Sequence, residues 1–464
     1  MRPTPTQVFQ ASTLYGAATL AAALDAGLFG GPAAARRVLL VCNNAAVPET
    51  TPPLSAMRGF ERIATRFDQV LDWNDTIRPH HPRGWTPQPN DAPVWERMLR
   101  SLWGLGDTPV SLVVESVQVS PAKALTTIFA ESDVQVYADG LMSYGPTRDR
   151  LPQTLGRRLH RFLHLDLVPG LRPLLLSELD VEPVAVPDDA FLRVLSELGE
   201  AARSDPALER ACADRPTAVL LGQYLAALDI LTADEEDELH LRMLRGAVAA
   251  GHRSIVFKAH PTAPWGHSRA LAEAAAEAGV TLRVLDGPVL AEAVFERCRP
   301  QLVVGCFSTA LLTAATYYGI PVARTGTELL LERLTPYQNS NRVPVTIVDF
   351  LAPELSGPPA TTGPRAALGG GRRPAPAEVA ALSELVRTVG YCMQSEHHPA
   401  LRDGAAAWLR ANLDDHTRRY FKRRRLTALA LPGGGIPPGP RSLRGNPVAR
   451  RVARTLRARE RARR

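Results

Sequence analysis

The sequence predicts an α/β protein built from two doubly wound, Rossmann-type αβα units facing a cleft. Three observations predict it. The chain has 464 residues, about three times the size of a common domain. Short apolar β-rich runs alternate with helical stretches, and the alternation stops near Leu151 and restarts near Thr217. Runs such as Arg37–Cys42 (RVLLVC) are apolar at nearly every position, as strands covered on both faces require. With 45% hydrophobic and 22% charged residues, the composition is globular.

In the first half, Thr6–Gln10 reads as a strand and Thr13–Ala26 as an alanine-rich helix closed by Gly27. Arg37–Cys42, Gln69–Asp72, Val110–Glu115 and Val134–Tyr137 read as further strands, with helix over Val94–Trp103 and Ala122–Phe129. Residues 151–214 hold six prolines that break this rhythm and read as an interdomain connection with some helix. Strands are then expected at Thr217–Leu221, Ser254–Lys258, Thr281–Leu285, Leu302–Val304 and Pro321–Ala323, with Val343–Val348 a further candidate. Helices are expected at Asp234–Ala250, Ser268–Gly279, Val289–Arg297 and Ser308–Tyr318. Gly357–Pro376 reads as a loop, followed by helices over Ala377–Val389 and Pro399–Leu413. The implied organisation is an N-terminal unit over 1–170, a linker over 171–213, a second unit over 214–354, a loop with C-terminal helices over 355–417, and a basic, disordered tail over 418–464.

The five cysteines are scattered and odd in number, which argues against a disulfide framework and for a reducing, cytoplasmic setting. No apolar run approaches the roughly 20 residues of a spanning helix, and the N-terminus lacks a basic-then-apolar leader. From Arg418 to Arg464 there are 16 Lys or Arg and one acid, of 54 and 47 in the chain. Residues 1–417 therefore carry 38 basic and 46 acidic side chains, a body of −8 beside a tail of +15. The high pI belongs to the tail and does not make the body a nucleic-acid binder.

Two αβα units in one chain are the plan of the GT-B architecture, in which a nucleotide sugar sits in the cleft. In such sheets ligands bind beyond the carboxyl ends of the strands, so polar residues just after strands are the candidates. Asp139, in Tyr137-Ala138-Asp139-Gly140, follows one strand and precedes a glycine that permits a sharp turn. A carboxylate there suits proton abstraction from a sugar hydroxyl, although Asp-Gly is also a common turn pair. In Phe257-Lys258-Ala259-His260-Pro261, Lys258 and His260 project to one face of an extended segment that Pro261 ends. The His260 imidazole suits a phosphate oxygen and a leaving group, or is structural. In Gly305-Cys306-Phe307-Ser308-Thr309, two hydroxyls open a helix, where free N–H groups favour an anion; an ordinary N-cap is the alternative.

Weaker candidates follow the same logic. Gln223 follows the first strand of the second unit and is placed to bond sugar or phosphate, or loop backbone. Glu292 opens a helix in a region where an acid contacts the ribose in many GT-B enzymes, or it lies on a solvated face. Lys258 offsets donor charge or sits in solvent. Asn43 and Asn44 bind acceptor or make a turn. No His/Cys/Asp cluster has metal-ligand spacing, and there is no P-loop.

Together, Ala138-Asp139-Gly140, His260-Pro261 and Ser308-Thr309 resemble the three short motifs of bacterial polysialyltransferase-type sialyltransferases of capsules and surface glycans. The runs TQVFQASTLYGAATLAAAL, YADGLMSYGPTRD and LLGQYL are similar to that family as well. The resemblance spans about residues 6–350. It implies a GT-B fold, a CMP-activated sialic acid or related keto-sugar, and inverting, metal-independent transfer without a cofactor. It also implies Asp139 as general base, His260 as acid and phosphate ligand, and Ser308 and Thr309 on the same phosphate. Ala138 departs from the family's pattern, which has an acidic residue there. The alternatives are a GT-B transferase for another nucleotide sugar and a degenerate glycan- or nucleotide-binding homologue. The implied partners are the CMP-sugar and a glycan or lipid-linked glycan acceptor; the tail lies outside the resemblance, and its charge suits either a solvated, disordered segment or attachment to the anionic inner membrane face, with no nucleic acid expected.

Overall fold

The computed structural model describes residues 4–259, 268–356 and 362–435. Two all-parallel sheets form the frame. The first has seven strands in the order β3-β2-β1-β4-β5-β6-β7. They are β1 (Thr6–Ala11), β2 (Arg36–Val41), β3 (Gln69–Asp72), β4 (Val110–Val114), β5 (Asp133–Ala138), β6 (Leu159–Leu165) and β7 (Glu182–Val186). The second has five, in the order β10-β9-β8-β11-β12. They are β8 (Ala218–Leu221), β9 (Ser254–Lys258), β10 (Thr281–Leu285), β11 (Leu302–Gly305) and β12 (Val322–Arg324). Strand order reverses between β1 and β4 and between β8 and β11, so each sheet has one switch point where its strand ends open a crevice. This is the two-unit GT-B-like frame the alternation predicts.

The first sheet is covered by a helix that small residues make possible. Leu14–Asp25 (LYGAATLAAALD) buries ten of its twelve residues, from Leu14 and Gly16 to Leu24. Its alanines let it lie close to the sheet on one side and to the helix Asp188–Ala202 on the other. Phe191, Val194, Leu195 and Leu198 of that second helix are fully buried.

Two expectations about the elements are corrected. Residues 151–214 are not a connection: β6 and β7 extend the first sheet, with Leu163 opposite Tyr137 and Val184. The prolines sit at positions the sheet tolerates, Pro183 in edge strand β7 and Pro187 just before a helix. Val343–Val348 is helix, within Arg342–Leu351, where nine of ten residues are buried. A β-branched run reads as strand locally, but full burial against neighbouring helices overrides propensity.

The tail is also ordered further than composition implies. Thr417–Tyr420 and Arg423–Ala428 are helical, and Tyr420, Phe421, Leu426 and Leu431 are buried. Only residues 436–464 of the expected tail lie outside the described residues. Tyr420 holds this segment from both ends. Its backbone carbonyl accepts from the Tyr337 hydroxyl at 2.9 Å, and its own hydroxyl donates to Asp349 at 2.6 Å.

Asp349 is fully buried and gathers charge around it. Arg324 lies 3.1 Å away, Arg365 and Arg419 each 3.7 Å away, and the Thr327 hydroxyl donates to it at 2.7 Å. The Arg365 guanidinium also donates to the Asp349 backbone carbonyl.

The cysteine expectation is corrected as well. Cys212 and Cys298 form a disulfide, with Cα atoms 5.9 Å apart and a separation of 86 positions in sequence. The helices Pro206–Cys212 and Ala291–Cys298 end side by side, which spacing along the chain does not disclose. Among the described residues no helix is long and apolar enough to cross a membrane.

Removing Asp349 takes from buried Arg324 one of its two carboxylate partners, Glu354 being the other, and leaves Arg365 and Arg419 beside an emptied site. Asp349→Ala is therefore expected to lower stability by about 3–5 kcal/mol, read as a drop in the urea midpoint.

Candidate active site

Three adjacent strands of the first sheet end at its switch point and deliver polar residues together. After β1 come Ser12 and Thr13, after β4 comes Glu115, and after β5 comes Asp139. Thr13 caps the helix Leu14–Asp25, its hydroxyl oxygen accepting from the Gly16 N–H at 2.9 Å. The same hydroxyl donates to Asp139 Oδ2 at 3.3 Å. Asp139 thus lies at a helix N-terminus, where the dipole favours negative charge.

Gly16 is what allows this approach. A Cβ there would stand 3.0 Å from Tyr137 Oη, 3.1 Å from Thr13 Oγ1 and 3.2 Å from Asp139 Oδ2. The Tyr137 hydroxyl is turned away from the carboxylate, donating to the Gln10 carbonyl at 3.1 Å.

Asp139 is half-buried, and burial raises its carboxyl above the ordinary range, against the Thr13 hydrogen bond, which lowers it. Glu115 is pushed up to about 7, first by burial and then by the charge of Asp139. Hydrogen bonds from Ser12 Oγ at 2.5 Å and Gln10 Nε2 at 3.3 Å oppose that rise.

The second sheet meets this cluster from across the cleft. β11 ends at Gly305, and Ser308 caps the helix Thr309–Tyr318, its hydroxyl oxygen accepting from the Ala310 N–H at 3.3 Å. Thr309 Oγ1 accepts from the Leu141 N–H at 3.4 Å and stands 3.0 Å from where a Cβ of Gly140 would be. Gly140 is therefore required for close approach; its backbone is extended (φ −143°, ψ −177°) and makes no sharp turn there. One helix N-terminus thus meets Asp139 through Thr13, and another, from the second unit, meets Gly140 and Leu141 just after it.

One turn on, Tyr15 Oη and Thr313 Oγ1 lie 3.1 Å apart, joining the first helix to Thr309–Tyr318. Glu292 is buried close by, and burial pushes its carboxyl up to about 7, against the lowering influence of Thr313. The solvated-face alternative for Glu292 is thereby excluded. It lines a small enclosed space with Leu14, Leu290 and Ala293.

Lys258 is also buried and sits neither in solvent nor free in the cleft. Its ammonium donates to the Ala259 carbonyl at 2.8 Å and to the Gly287 carbonyl at 3.2 Å, fastening the loop after β10. Burial lowers it to about 8, against the pull of Glu292 and Asp286.

Gln223 follows β8, and its side-chain carbonyl is buried without a hydrogen-bond partner among the described residues. The loop beyond it is held by Glu236, which accepts from the Leu225 N–H at 2.8 Å and the Ala226 N–H at 3.0 Å. Asn43 makes a turn, its amide donating to the Pro48 and Thr51 carbonyls at 3.1 Å. Asn44 accepts from the Cys42 thiol. His260 lies outside the described residues, which resume at Ser268.

The structure thus brings Asp139 and Thr309 together, with Ser308 beside Thr309, and sets Glu292 and Lys258 behind them. It adds Ser12, Thr13, Tyr15, Glu115 and Thr313, which the sequence reading did not single out. Glu115 was findable, since it ends the run VSLVVE as Asp139 ends its own strand. Among the described residues no three His, Cys, Asp or Glu side chains are placed to hold a metal ion.

A family model described as alpha-2,8-polysialyltransferase matches residues 7–327. No curated protein matches the chain. Similar solved structures include the GT-B domain of a sialyltransferase from Photobacterium damselae, at 11% identity and TM-score 0.40, covering 74% of this chain and 96% of that one. A UDP-GlcNAc 2-epimerase from Neisseria meningitidis, bound to UDP-GlcNAc, is similar at 11% identity and TM-score 0.44, covering 82% and 97%. MurG from Acinetobacter baumannii is similar at 13% identity and TM-score 0.39, covering 83% and 99%.

Glu292 provides a stability test of this geometry. Its proton affinity is higher folded than unfolded, so the folded state binds the extra proton between about 4.5 and 7. Its contribution is fully present below the lower value and is lost as pH rises through the upper one. Glu292→Gln is therefore expected to stabilise the protein at pH 8, relative to its effect at pH 4.5, by about 2–3 kcal/mol in urea unfolding.

Proposed function

Because the chain belongs to the alpha-2,8-polysialyltransferase family, we propose that it transfers sialic acid, or a related keto-sugar, from a CMP donor to a glycan hydroxyl with inversion. The observation that supports this most is the meeting of Gly140 and Leu141, directly after Asp139, with the N-terminus of Thr309–Tyr318 of the second unit. A carboxylate from one unit faces an anion-favouring helix end from the other, the arrangement an acceptor and a nucleotide phosphate need.

In this reading Asp139 takes the proton of the acceptor hydroxyl as its oxygen bonds to the anomeric carbon. The bond from that carbon to the CMP phosphate oxygen breaks, and its electron pair leaves with CMP. Charge gathering on the phosphate is met by the Ser308 and Thr309 hydroxyls, the helix N–H groups and the His260 imidazole, which protonates it. The transition state at the anomeric carbon is oxocarbenium-like. A single phosphodiester charge needs less neutralisation than a diphosphate, so transfer proceeds without a metal or other cofactor. Gln223 and Glu292 lie on the donor side, Gln223 with an open acceptor and Glu292 beside Thr313. Lys258 acts indirectly, through the loop it fastens.

Residues 436–464 carry ten arginines and one acid. We assign them to electrostatic attachment at an anionic membrane face, where each basic residue contributes about 1 kcal/mol. That would place the enzyme on the cytoplasmic side of the inner membrane, next to a lipid-linked glycan acceptor. A truncation that spares the fold must keep the core residues Tyr420, Phe421, Leu426 and Leu431, as one ending at Gly435 does.

Asp139→Asn should keep CMP affinity and lower turnover about 100-fold or more. Near-normal turnover would remove Asp139 from the base role. His260→Ala and Ser308→Ala should each weaken CMP binding in calorimetry, and a chelator should leave the rate unchanged. A strict requirement for Mn²⁺ or Mg²⁺ would instead indicate a diphosphate donor. The full chain should sediment with anionic vesicles at low salt and release at high salt. A chain ending at Gly435 should stay in solution and remain active.

A further inference from the structure

Asp139 has a second carboxylate beside it, supplied by a different strand. β4 and β5 are neighbours in parallel register, Val114 opposite Val136, so Glu115 emerges next to Tyr137 at the same end of the sheet as Asp139. Position 138, adjacent in sequence, is alanine and supplies no charge.

Glu115 is held firmly. Its backbone N–H donates to Gln10 Oε1 at 3.1 Å. Its carboxylate accepts from Ser12 Oγ at 2.5 Å and from Gln10 Nε2 at 3.3 Å. All these partners stand on or just after β1, so the strand between β2 and β4 fixes the side chain facing β5. Among the described residues Glu115 has these three hydrogen bonds and no ion pair, and it shares its end of the sheet with Asp139.

We propose that Glu115 is a positioning residue for Asp139, a second carboxylate fixed from β1 at the same end of the sheet. This rests on the reading of Asp139 as the general base. Two close carboxylates ionise in two steps that belong to the pair. Turnover follows the last proton to leave it, and the proton taken from the acceptor returns to Asp139.

The other groups facing the pair do not titrate in the working range. Tyr137 on β5, Cys42 after β2 and Tyr15 on the first helix are each pushed up by burial and then by these or other carboxylates. Glu292 acts on Tyr15, and Asp72 on Cys42. Ser12, Gln10, Thr13 and, across the cleft, Thr309 are neutral.

The test is the pH dependence of kcat/KM with a CMP-sugar and a glycan acceptor. Glu115→Gln keeps the shape and the Ser12 contact but removes the charge. Its acidic limb should move down by about one pH unit, and its plateau should fall about 10-fold, with CMP affinity unchanged. Glu115→Asp should restore the limb. Ser12→Ala removes a donor to the ionised glutamate, so its limb should move up, which provides a reading even if the Gln variant does not fold. Limbs that superimpose on that of the parent in Glu115→Gln, or in Ser12→Ala where the former does not fold, overturn this inference. If Asp139→Asn is then still inactive, the base assignment stands without Glu115; if Asp139→Asn is active, the base assignment itself has failed.

Discussion

The absence of a side chain at Gly16 is the constraint on which the site depends. It lets the first helix start against the end of β5, with Tyr137, Thr13 and Asp139 all within 3.2 Å of the space a Cβ would fill. That approach turns a helix N-cap into a hydrogen-bond donor for a carboxylate. It also sets Tyr15, the preceding residue, to meet Thr313 of the other unit. One missing carbon thus fixes Asp139 and one junction between the two units.

The second unit answers with the same device. Gly140 lets Thr309 come against the loop after β5, so the cleft closes on two helix N-termini. Behind this contact the charged residues Glu292 and Lys258 are buried, one shifted toward its neutral form by desolvation and the other tied to loop carbonyls. Their cost in solvation is offset by neighbours rather than by water, which ties the electrostatics behind Thr309 to the closeness of the units. The C-terminal segment completes the frame through Asp349 and Tyr420, and the Gln394 amide reaches back to the Arg148 carbonyl at 2.7 Å.

Local signals located the strand ends well. Val110–Glu115 and Val134–Tyr137 lie within a residue or two of β4 and β5, and Ser308 caps a helix as its position implies. Position at a strand end was enough to single out Asp139 and Thr309. The same rule applied to Glu115, but a lone glutamate closing an apolar strand carries no spacing signal, and its meaning arises from the neighbouring strand. Lys258 and Glu292 were legible as charged residues near the site but not as buried ones, because burial depends on what packs over them. Val343–Val348 and residues 151–214 were misread for a related reason. β-branched residues and prolines bias a local conformation, and neighbours decide it.

By itself, the sequence determined the periodicities, the two-unit α/β plan, and the residue types at each strand end, because these depend on side-chain pattern along the chain. The tertiary structure alone decided which strand ends adjoin. Strand order 3-2-1-4-5 brings residues 10–13, 115 and 139 to one point, although more than 100 residues separate the first from the others. It also decided the Cys212–Cys298 pairing and the burial of Tyr420. Each of these is a contact between segments distant in sequence, and such contacts are set by packing, which no local pattern encodes.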